Sequence, residues 1–546
     1  MGLRQVVPGG QPIRVRLTPG IASLAVGKYP SRPIMKPVRL YNTLTRNLET
    51  FTPKNADRVG VYCCGPTVYD VPHAGHARSA VAFDVLVRHL RARGYNVHYV
   101  RNITDIDDKI LARAKENGES PLALSQRMAE VYQTQIGEVG CAAPDVEPKV
   151  SDHLAEIFAL VQSLIDEGAA YAVDMPGGTR DVYFAVRKFA GYGKLSRRKI
   201  DDLIAGARVE KDEAKRDPLD FALWKGVPEG EWGWESPWGY GRPGWHIECS
   251  AMSGKYLGHG FDIHAGGMDL IFPHHENEIA QSEAAAPGQG DFSRFWMHNG
   301  FVNVDKEKMS KSLGNFVTVQ DVLARNDAEA FRWFLMTVHY RGPIQFDSEK
   351  LESGRVIFPG VDEAERRVDY VYATLQRLAK MAQPGELPQK LAPELAAAKK
   401  QMDAAAAAVG EALDDDLNTP VALASLGELA KLANEMADLA HKRRKDESFT
   451  KAAAVLAAEA NSALRSVGET VGLFRAPVQE YLDRTQARRL ALRSLSAADV
   501  EKLICERTEA RSAKDFARSD ALRDELVALG IALRDRPDGT DWVVEP

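Results

Sequence analysis

Two cysteines, a histidine and a glutamate, far apart in a chain of 546 residues, are of the types that bind a soft metal. Cys64 closes a short apolar run, Cys249 ends Trp245-His246-Ile247-Glu248-Cys249, and His274 and Glu278 stand four apart in Pro273-His274-His275-Glu276-Asn277-Glu278. On a helix that spacing puts His274 and Glu278 on one face, able to grip a single ion. Two thiolates, an imidazole and a carboxylate suit zinc, one ion per chain. Three anionic ligands on a dication leave a net charge of about −1, which resists an incoming thiolate unless a fifth ligand is accepted or Glu278 loosens.

Two phosphate-handling signatures flank this set. Pro72-His73-Ala74-Gly75-His76 follows an apolar run and opens a helical stretch. Free backbone N–H groups and the helix dipole attract phosphate at such a place. Gly75 lets a nucleotide approach the backbone, and His73 and His76 can donate to oxygens whose charge grows at a pentacovalent α-phosphate. In Lys308-Met309-Ser310-Lys311-Ser312 both lysines can swing onto a pyrophosphate, and Gly314 gives the loop mobility. The plain alternative is a solvated charged loop. A lysine clamp that closes only in the transition state raises rate, not mere affinity.

The elements that must hold these residues are legible in outline. Val59 to Cys64 reads as a buried strand ended by Gly65-Pro66. Ala77, Val81, Val85, Leu86 and Leu90 form a helical stripe, Gly94 a stop, and Tyr95 to Val100 a second strand. Strand, helix and strand with short joints make a βαβ unit and a parallel sheet, whose ligand site lies at the carboxyl ends of the strands. Residues from about 110 to 235 read as an insertion. Sheet-like text returns at Phe261-Asp262-Ile263-His264 and at Phe301-Val302-Asn303-Val304. From about 360 to 475 the chain is Ala-rich and helical, and the last 60 or so residues form a separate module.

Bulk properties exclude several classes. A 45% hydrophobic, 27% charged composition is that of a globular protein, and no apolar run is long enough to span a membrane. The net charge of −6 argues against coating nucleic acid by bulk charge. Five cysteines in so long a chain build no disulfide framework and point to a reducing compartment. Cys63 faces away from Cys64 and reads as packing; Cys141 and Cys505 read as small hydrophobes. The first 48 residues hold no Asp or Glu but are broken by several prolines, which predicts a disordered extension over 1–34, with Met35 as a working start.

Smaller features keep two readings. Trp245 and His246 are either core or the walls of a pocket that excludes bulky amino acids, with His264 and Gly266-Gly267 at its edge. Arg507, Arg511, Lys514 and Arg518 make a basic stripe if one helix runs through them, and a solvated face otherwise.

Together these residues resemble the cysteinyl-tRNA synthetase family of class I aminoacyl-tRNA synthetases. The likeness spans residues 36–546, from Arg39-Leu40-Tyr41-Asn42-Thr43-Leu44-Thr45 to Gly539-Thr540-Asp541-Trp542. His73-Ala74-Gly75-His76 is similar to the class I "HIGH" signature with Ala for Ile, and the lysine loop matches "KMSKS" letter for letter. Gly244 to Met252 and Phe272 to Glu278 are similar to segments particular to the cysteine enzyme.

The resemblance implies an α/β fold: a Rossmann-type parallel-sheet catalytic domain over 35–312 with an inserted connective segment, a stem-contact region over 313–358, an α-helical bundle over 359–480 and a small anticodon-binding module over 485–546. It implies a zinc held by Cys64, Cys249, His274 and Glu278 that takes the substrate thiolate. It also implies an ATP-contacting Lys311, with Thr104 and Trp245 near the amino acid's carboxylate or amine, and anticodon contacts at Arg511, Asp520 and Asp535. Phe516 offers a stacking surface where some members have Trp.

The expected reaction joins L-cysteine to ATP, with Mg²⁺, as cysteinyl-adenylate and then to tRNA(Cys), in a cytoplasmic monomer. His73 and His76 would attend the α-phosphate, Lys308 and Lys311 the outer phosphates. A hydrophobic slot separates near-isosteres by only about 10–200-fold, whereas a metal separates a thiol of pKa about 8.5 from an alcohol by chemistry, without an editing domain. The rivals are a ligase joining activated cysteine to an amino sugar, which lacks such a tail, and an RNA-binding regulator, whose signatures would have decayed.

Overall fold

A computed structural model describes residues 37–175, 178–199, 214–304, 307–308, 316–350, 356–536 and 539–545. The predicted extension over 1–34 and Lys311 lie outside the described residues.

An antiparallel hairpin, β1 (Arg39–Asn42) and β2 (Asn47–Thr50), precedes the buried strand β3 (Val59–Cys63). The helix α1 (Ala74–Ala92) buries Ala77, Val81, Val85, Leu86 and Leu90, the apolar stripe of the sequence. It ends where Gly94 takes φ +86° and Tyr95 N–H returns to the Leu90 carbonyl. The chain then runs into β4 (Val97–Arg101), parallel to β3. Strand, helix and strand are thus joined as the hydrophobic pattern requires.

The insertion begins with α2 (Asp108–Asn117) and α3 (Pro121–Glu138), then α4 (Leu154–Asp166) and the antiparallel strands β5 (Ala170–Asp174), β6 (Arg180–Phe184), β7 (Phe221–Gly226) and β8 (Gly241–Pro243). The chain re-enters the catalytic core through α5 (Trp245–Leu257), β9 (Phe261–Gly267), α6 (Glu276–Ala284) and β10 (Ser293–Asn299). The parallel sheet has the order β10-β9-β3-β4. Connections leave β3 and β9 toward opposite edges, so the order reverses between those two strands. In open parallel sheets ligands bind at that reversal, outside the carboxyl ends.

Next come β11 (Val302–Val304) and β12 (Glu307–Lys308), then α7 (Val319–Leu323), α8 (Ala328–Met336) and β13 (Ile344–Gln345), which pairs parallel with β11. Four long helices, α9 (Pro359–Met381), α10 (Pro393–Asp414), α11 (Thr419–Lys442) and α12 (Glu447–Thr470), form the Ala-rich bundle. Their buried Leu and Ala residues continue into one core with Ala77, Val81 and Val85 of α1. The turn between α10 and α11 is pinned to the catalytic half. Asp414 accepts from His89 Nε2 at 2.9 Å and Arg93 Nη2 at 2.6 Å, while Asp416 accepts from the Tyr41 N–H at 2.8 Å and Arg341 Nε at 2.7 Å. These bonds hold Asp416 and Leu417 in the left-handed region, φ +57° and +53°, which L residues seldom enter.

α13 (Val478–Ala491) leads to a terminal module of α14 (Ala497–Ser512), α15 (Phe516–Ala528) and the antiparallel pair β14 (Ile531–Arg536) and β15 (Gly539–Val544). One helix does not run through the basic stripe. α14 stops at Ser512, Lys514 takes φ +60°, and α15 starts afresh at Phe516. Arg507 is turned inward onto Asp535, so only part of the stripe faces solvent.

Candidate functional site

Alternation along β3 divides its cysteines. Tyr62 and Cys64 face the layer containing α5 and α6, and Cys63 packs with Val59, Val61 and Phe83 on the other side. Cys64 follows the strand's last residue, at the reversal point. Cys249 is buried in the second turn of α5, and His274 and Glu278 enter from the segment after β9. That segment is not one smooth helix, since Phe272 is extended (φ −143°, ψ 132°). The turn beyond it still brings His274 Nε2 within 3.1 Å of Glu278 Oε1.

One donor atom from each of Cys64, Cys249, His274 and Glu278 lies within 4.8 Å of the others. The sulfurs are 3.7 Å apart, and Cys64 Sγ is 3.5 Å from Glu278 Oε1. Two thiolates bound at about 2.3 Å to one tetrahedral ion stand about 3.8 Å apart, and a thiolate and a carboxylate oxygen about 3.6 Å. The four residues fit a zinc-sized ion. Cys64, His264, His275 and Glu278 form an overlapping set, but with one sulfur in place of two it is the harder one.

With an ion in the first set, His264 and His275 would back its anionic donors. His264 Nε2 is 2.9 Å from Glu278 Oε2, and His275 Nε2 is 3.3 Å from Cys64 Sγ. Outer partners of this kind orient metal ligands. His275 continues to His298 at 2.9 Å and His298 to the Thr43 hydroxyl at 2.8 Å, while His246 Nδ1 meets His274 Nδ1 at 2.9 Å.

Burial sets the protonation of this cluster. It pulls His246, His264 and His298 to about 3 and His274 and His275 well below the usual imidazole range. All are therefore neutral near pH 7, as ligation requires. Burial also pushes the Cys64 thiol and the Glu278 carboxyl up. The Tyr62 hydroxyl is buried beside the same sulfurs without a hydrogen-bond partner in good geometry. Such a concentration of costly groups is what a bound cation would compensate. Sequence reasoning missed Tyr62 and His275; the only trace was the alternation of β3 and the doubling of His274.

Of the four, Cys64 lines a cleft of about 330 Å³ that also reaches His73, Gly75 and His76. His73 caps α1, its Nδ1 accepting from the Gly75 N–H at 3.1 Å, while His76 Nδ1 accepts from the His73 N–H at 3.3 Å. The rings stack 3.8 Å apart. With both Nδ1 atoms accepting, each neutral ring carries its proton on Nε2, a donor suited to phosphate oxygen.

Trp245 lines the cleft and stacks on His274, 4.3 Å between rings. Gly267 is at the edge, as expected, whereas His264 is buried behind it. Thr104 is also one layer back, its hydroxyl accepting from Asn102 Nδ2 at 3.1 Å, and Thr67, bridged to it, lines the cleft. Lys308 lies on β12 opposite Asn303, and the loop after it is outside the described residues.

In the terminal module Asp535 accepts both Nη atoms of Arg507, at 2.9 and 2.8 Å, Arg511 Nη1 at 3.2 Å and the Thr540 hydroxyl at 2.8 Å. These donors hold its carboxyl well below the usual range, Arg507 contributing most. Asp520 is exposed on α15, and Phe516 is 61% exposed at that helix's start.

Comparison with known proteins places these parts. Residues 50–355 match the family described as tRNA synthetases class I (C) catalytic domain, 408–475 the DALR domain, and 494–542 the Cysteinyl-tRNA ligase anticodon binding domain. A "Cysteine--tRNA ligase" from Anaeromyxobacter dehalogenans (strain 2CP-C) is 50% identical over 514 residues, covering 93% of this chain and 100% of that protein. One from Thermodesulfovibrio yellowstonii is 46% identical over 509 residues, with the same coverage of each. A Mycobacterium tuberculosis methionyl-tRNA synthetase in complex with methionyl-adenylate shares the fold, with TM-score 0.58 and 18% identity, over 76% of this chain and 91% of that one.

Proposed function

The chain belongs to the cysteine--tRNA ligase family of class I synthetases, and from that premise we propose that it activates L-cysteine with ATP and transfers it to tRNA(Cys), taking cysteine at the Cys64–Cys249–His274–Glu278 cluster. The observation that supports this most is the convergence of those four donors beside a cleft that Cys64 and Trp245 share with His73 and His76.

Zinc bound there would supply a Lewis acid that ionises a thiol and holds it as thiolate, an affinity an alcohol does not match. The remaining chemistry is the chain's own. Trp245, stacked on His274, walls the cleft and limits the size of what reaches the cluster. The substrate carboxylate attacks the α-phosphate of ATP, pyrophosphate leaves, and no protein nucleophile is needed. Nε2–H of His73 and of His76 donates to α-phosphate oxygens as charge grows on them. Lys308 and Lys311 follow the outer phosphates, with Mg²⁺ sharing their charge. The terminal adenosine of tRNA then takes the cysteinyl group.

Residues 485–546, including Arg511, Asp520 and Asp535, read the anticodon, 313–358 contact the stem, and 359–480 set the spacing between them. The family reading extends to a cytoplasmic monomer; among the described residues no helix is long and apolar enough to cross a membrane. Cysteine-dependent ATP–pyrophosphate exchange, with serine as control and tRNA added afterwards, tests the proposal. Exchange that is equal with serine, or absent with cysteine, contradicts it.

A further inference from the structure

Helix α13 joins the bundle to the terminal module, and its arginines bind on both sides. Toward the bundle, Arg484 Nε donates to Asp327 Oδ2 at 2.8 Å, and Asp327 in turn caps α8. Arg488 reaches both Asp327, at 3.4 Å, and Glu365. Tyr481 stacks on Tyr372, ring centroids 3.8 Å apart, and donates to Asp369 at 2.6 Å. Toward the module, just past the helix end, Arg493 Nη2 donates to the Glu545 carbonyl at 2.8 Å.

Arg489 does both at once. Its Nη2 donates to Glu365 Oε1 and Asp369 Oδ2, each at 2.7 Å, and its Nη1 to the Val544 carbonyl at 2.9 Å. The side chain is buried, unlike an exposed ion pair that solvent would screen. Its planar fork fixes the angle between carboxylates on α9 and the end of β15. Val544 pairs with Ile531 on the ladder that further along pairs Thr540 with Asp535. The neighbouring Leu490 belongs to the module's small core with Val500, Leu526, Ile531 and Val544. With so small a core, the hairpin's orientation depends on this polar joint.

We propose that Arg489 is a positioning residue for tRNA: it locks the β14–β15 hairpin, and with it Asp535 and Arg511, at a fixed angle to the bundle. The inference rests on the reading of residues 494–542 as the anticodon-binding part. Arg489 touches neither cysteine nor ATP in this account, so its loss should separate recognition of tRNA from adenylate formation.

The test compares wild type, Arg489→Ala and Arg489→Lys in three assays on the intact chain: cysteine-dependent pyrophosphate exchange, charging of full-length cognate tRNA, and charging of an acceptor-stem minihelix that lacks an anticodon. Lysine keeps the charge beside Glu365 and Asp369 but cannot span three acceptors, so it guards against a variant that merely fails to fold. Both variants should keep exchange within about twofold of wild type. Their kcat/KM for full-length tRNA should fall about 10- to 100-fold, mostly through KM, as expected for a lost charge-assisted bridge. Minihelix charging should not change. Undiminished charging of full-length tRNA by Arg489→Lys would overturn the inference, as would an equal fall for tRNA and minihelix. A wild type that charges the minihelix as well as full-length tRNA would contradict the anticodon reading itself, and the inference with it.

Discussion

The sulfurs of Cys64 and Cys249 stand 3.7 Å apart although 185 positions separate them in the chain. One comes from the end of a parallel strand and the other from the helix that re-enters the core after the insertion. The insertion must therefore fold so as to return Trp245–Leu257 to the reversal point of the sheet, and the cluster depends on that return.

Replacing Cys249 by Ala removes one of two soft donors from a buried site. Metal affinity should fall well beyond the 10- to 100-fold expected when an outer partner is lost. Elemental analysis after dialysis against a chelator should find about one zinc per wild-type chain and almost none in the variant. Equal zinc in both would contradict the ligand set.

His73 and His76 are held by their Nδ1 atoms. His73→Ala should lower the rate of cysteine-dependent pyrophosphate exchange about 10²–10³-fold, the usual cost of one preorganised donor. KM for cysteine should barely move, because the cysteine end of the cleft is built from other residues. A change confined to KM would assign His73 to substrate binding.

Asp84 and Arg332 form a buried pair, with Arg88 on the same carboxylate. Burial alone would raise the Asp84 pKa, but Arg332 and Arg88 hold it below its ordinary value. A folded pKa below the unfolded one contributes stability above about pH 3.9 that is lost as pH falls through the folded value. Asp84→Asn leaves Arg332 uncompensated and should cost roughly 3–5 kcal/mol near pH 7. The difference in thermal stability between variant and wild type should shrink in acid. A constant difference from pH 7 to pH 3 would refute the pair's role.

Arg507 and Arg511 share Asp535 but differ in exposure, Arg507 being buried and Arg511 open to solvent. Arg507→Ala should destabilise the terminal module, seen as faster amide exchange in β14 and β15. Arg511→Ala should leave exchange unchanged and raise KM for tRNA. The reverse pattern would swap structural and recognition roles.

Much of this was legible in the chain because local chemistry and global pattern agree. The stripe from Ala77 to Leu90 and the stop at Gly94 gave α1 and its place between parallel strands. The spacing of His274 and Glu278 gave their common face, even though the backbone before them is not regular. What stayed hidden depends on tertiary placement. That Thr104 sits behind Thr67, and that His264 lies under the site and not at its rim, follows from how β4 and β9 flank β3, which no single window records. The basic stripe kept two readings because spacing is blind to a break: Lys514 leaves the helical region, so Arg518 starts on a new helix, apart from the one that carries Arg507 and Arg511. The joint at Arg489 is equally silent, since its partners are 120 or more positions away on α9 and a backbone carbonyl of β15.

The central claim is that a metal held by Cys64, Cys249, His274 and Glu278 distinguishes sulfur from oxygen. The most direct measurement is the electronic spectrum of the cobalt-substituted enzyme titrated with cysteine and then with serine. The account predicts a sulfur-to-metal charge-transfer band from the two protein thiolates that grows with cysteine and does not respond to serine. A cobalt spectrum that cysteine leaves untouched, in an enzyme that still prefers cysteine over serine in pyrophosphate exchange, would contradict it.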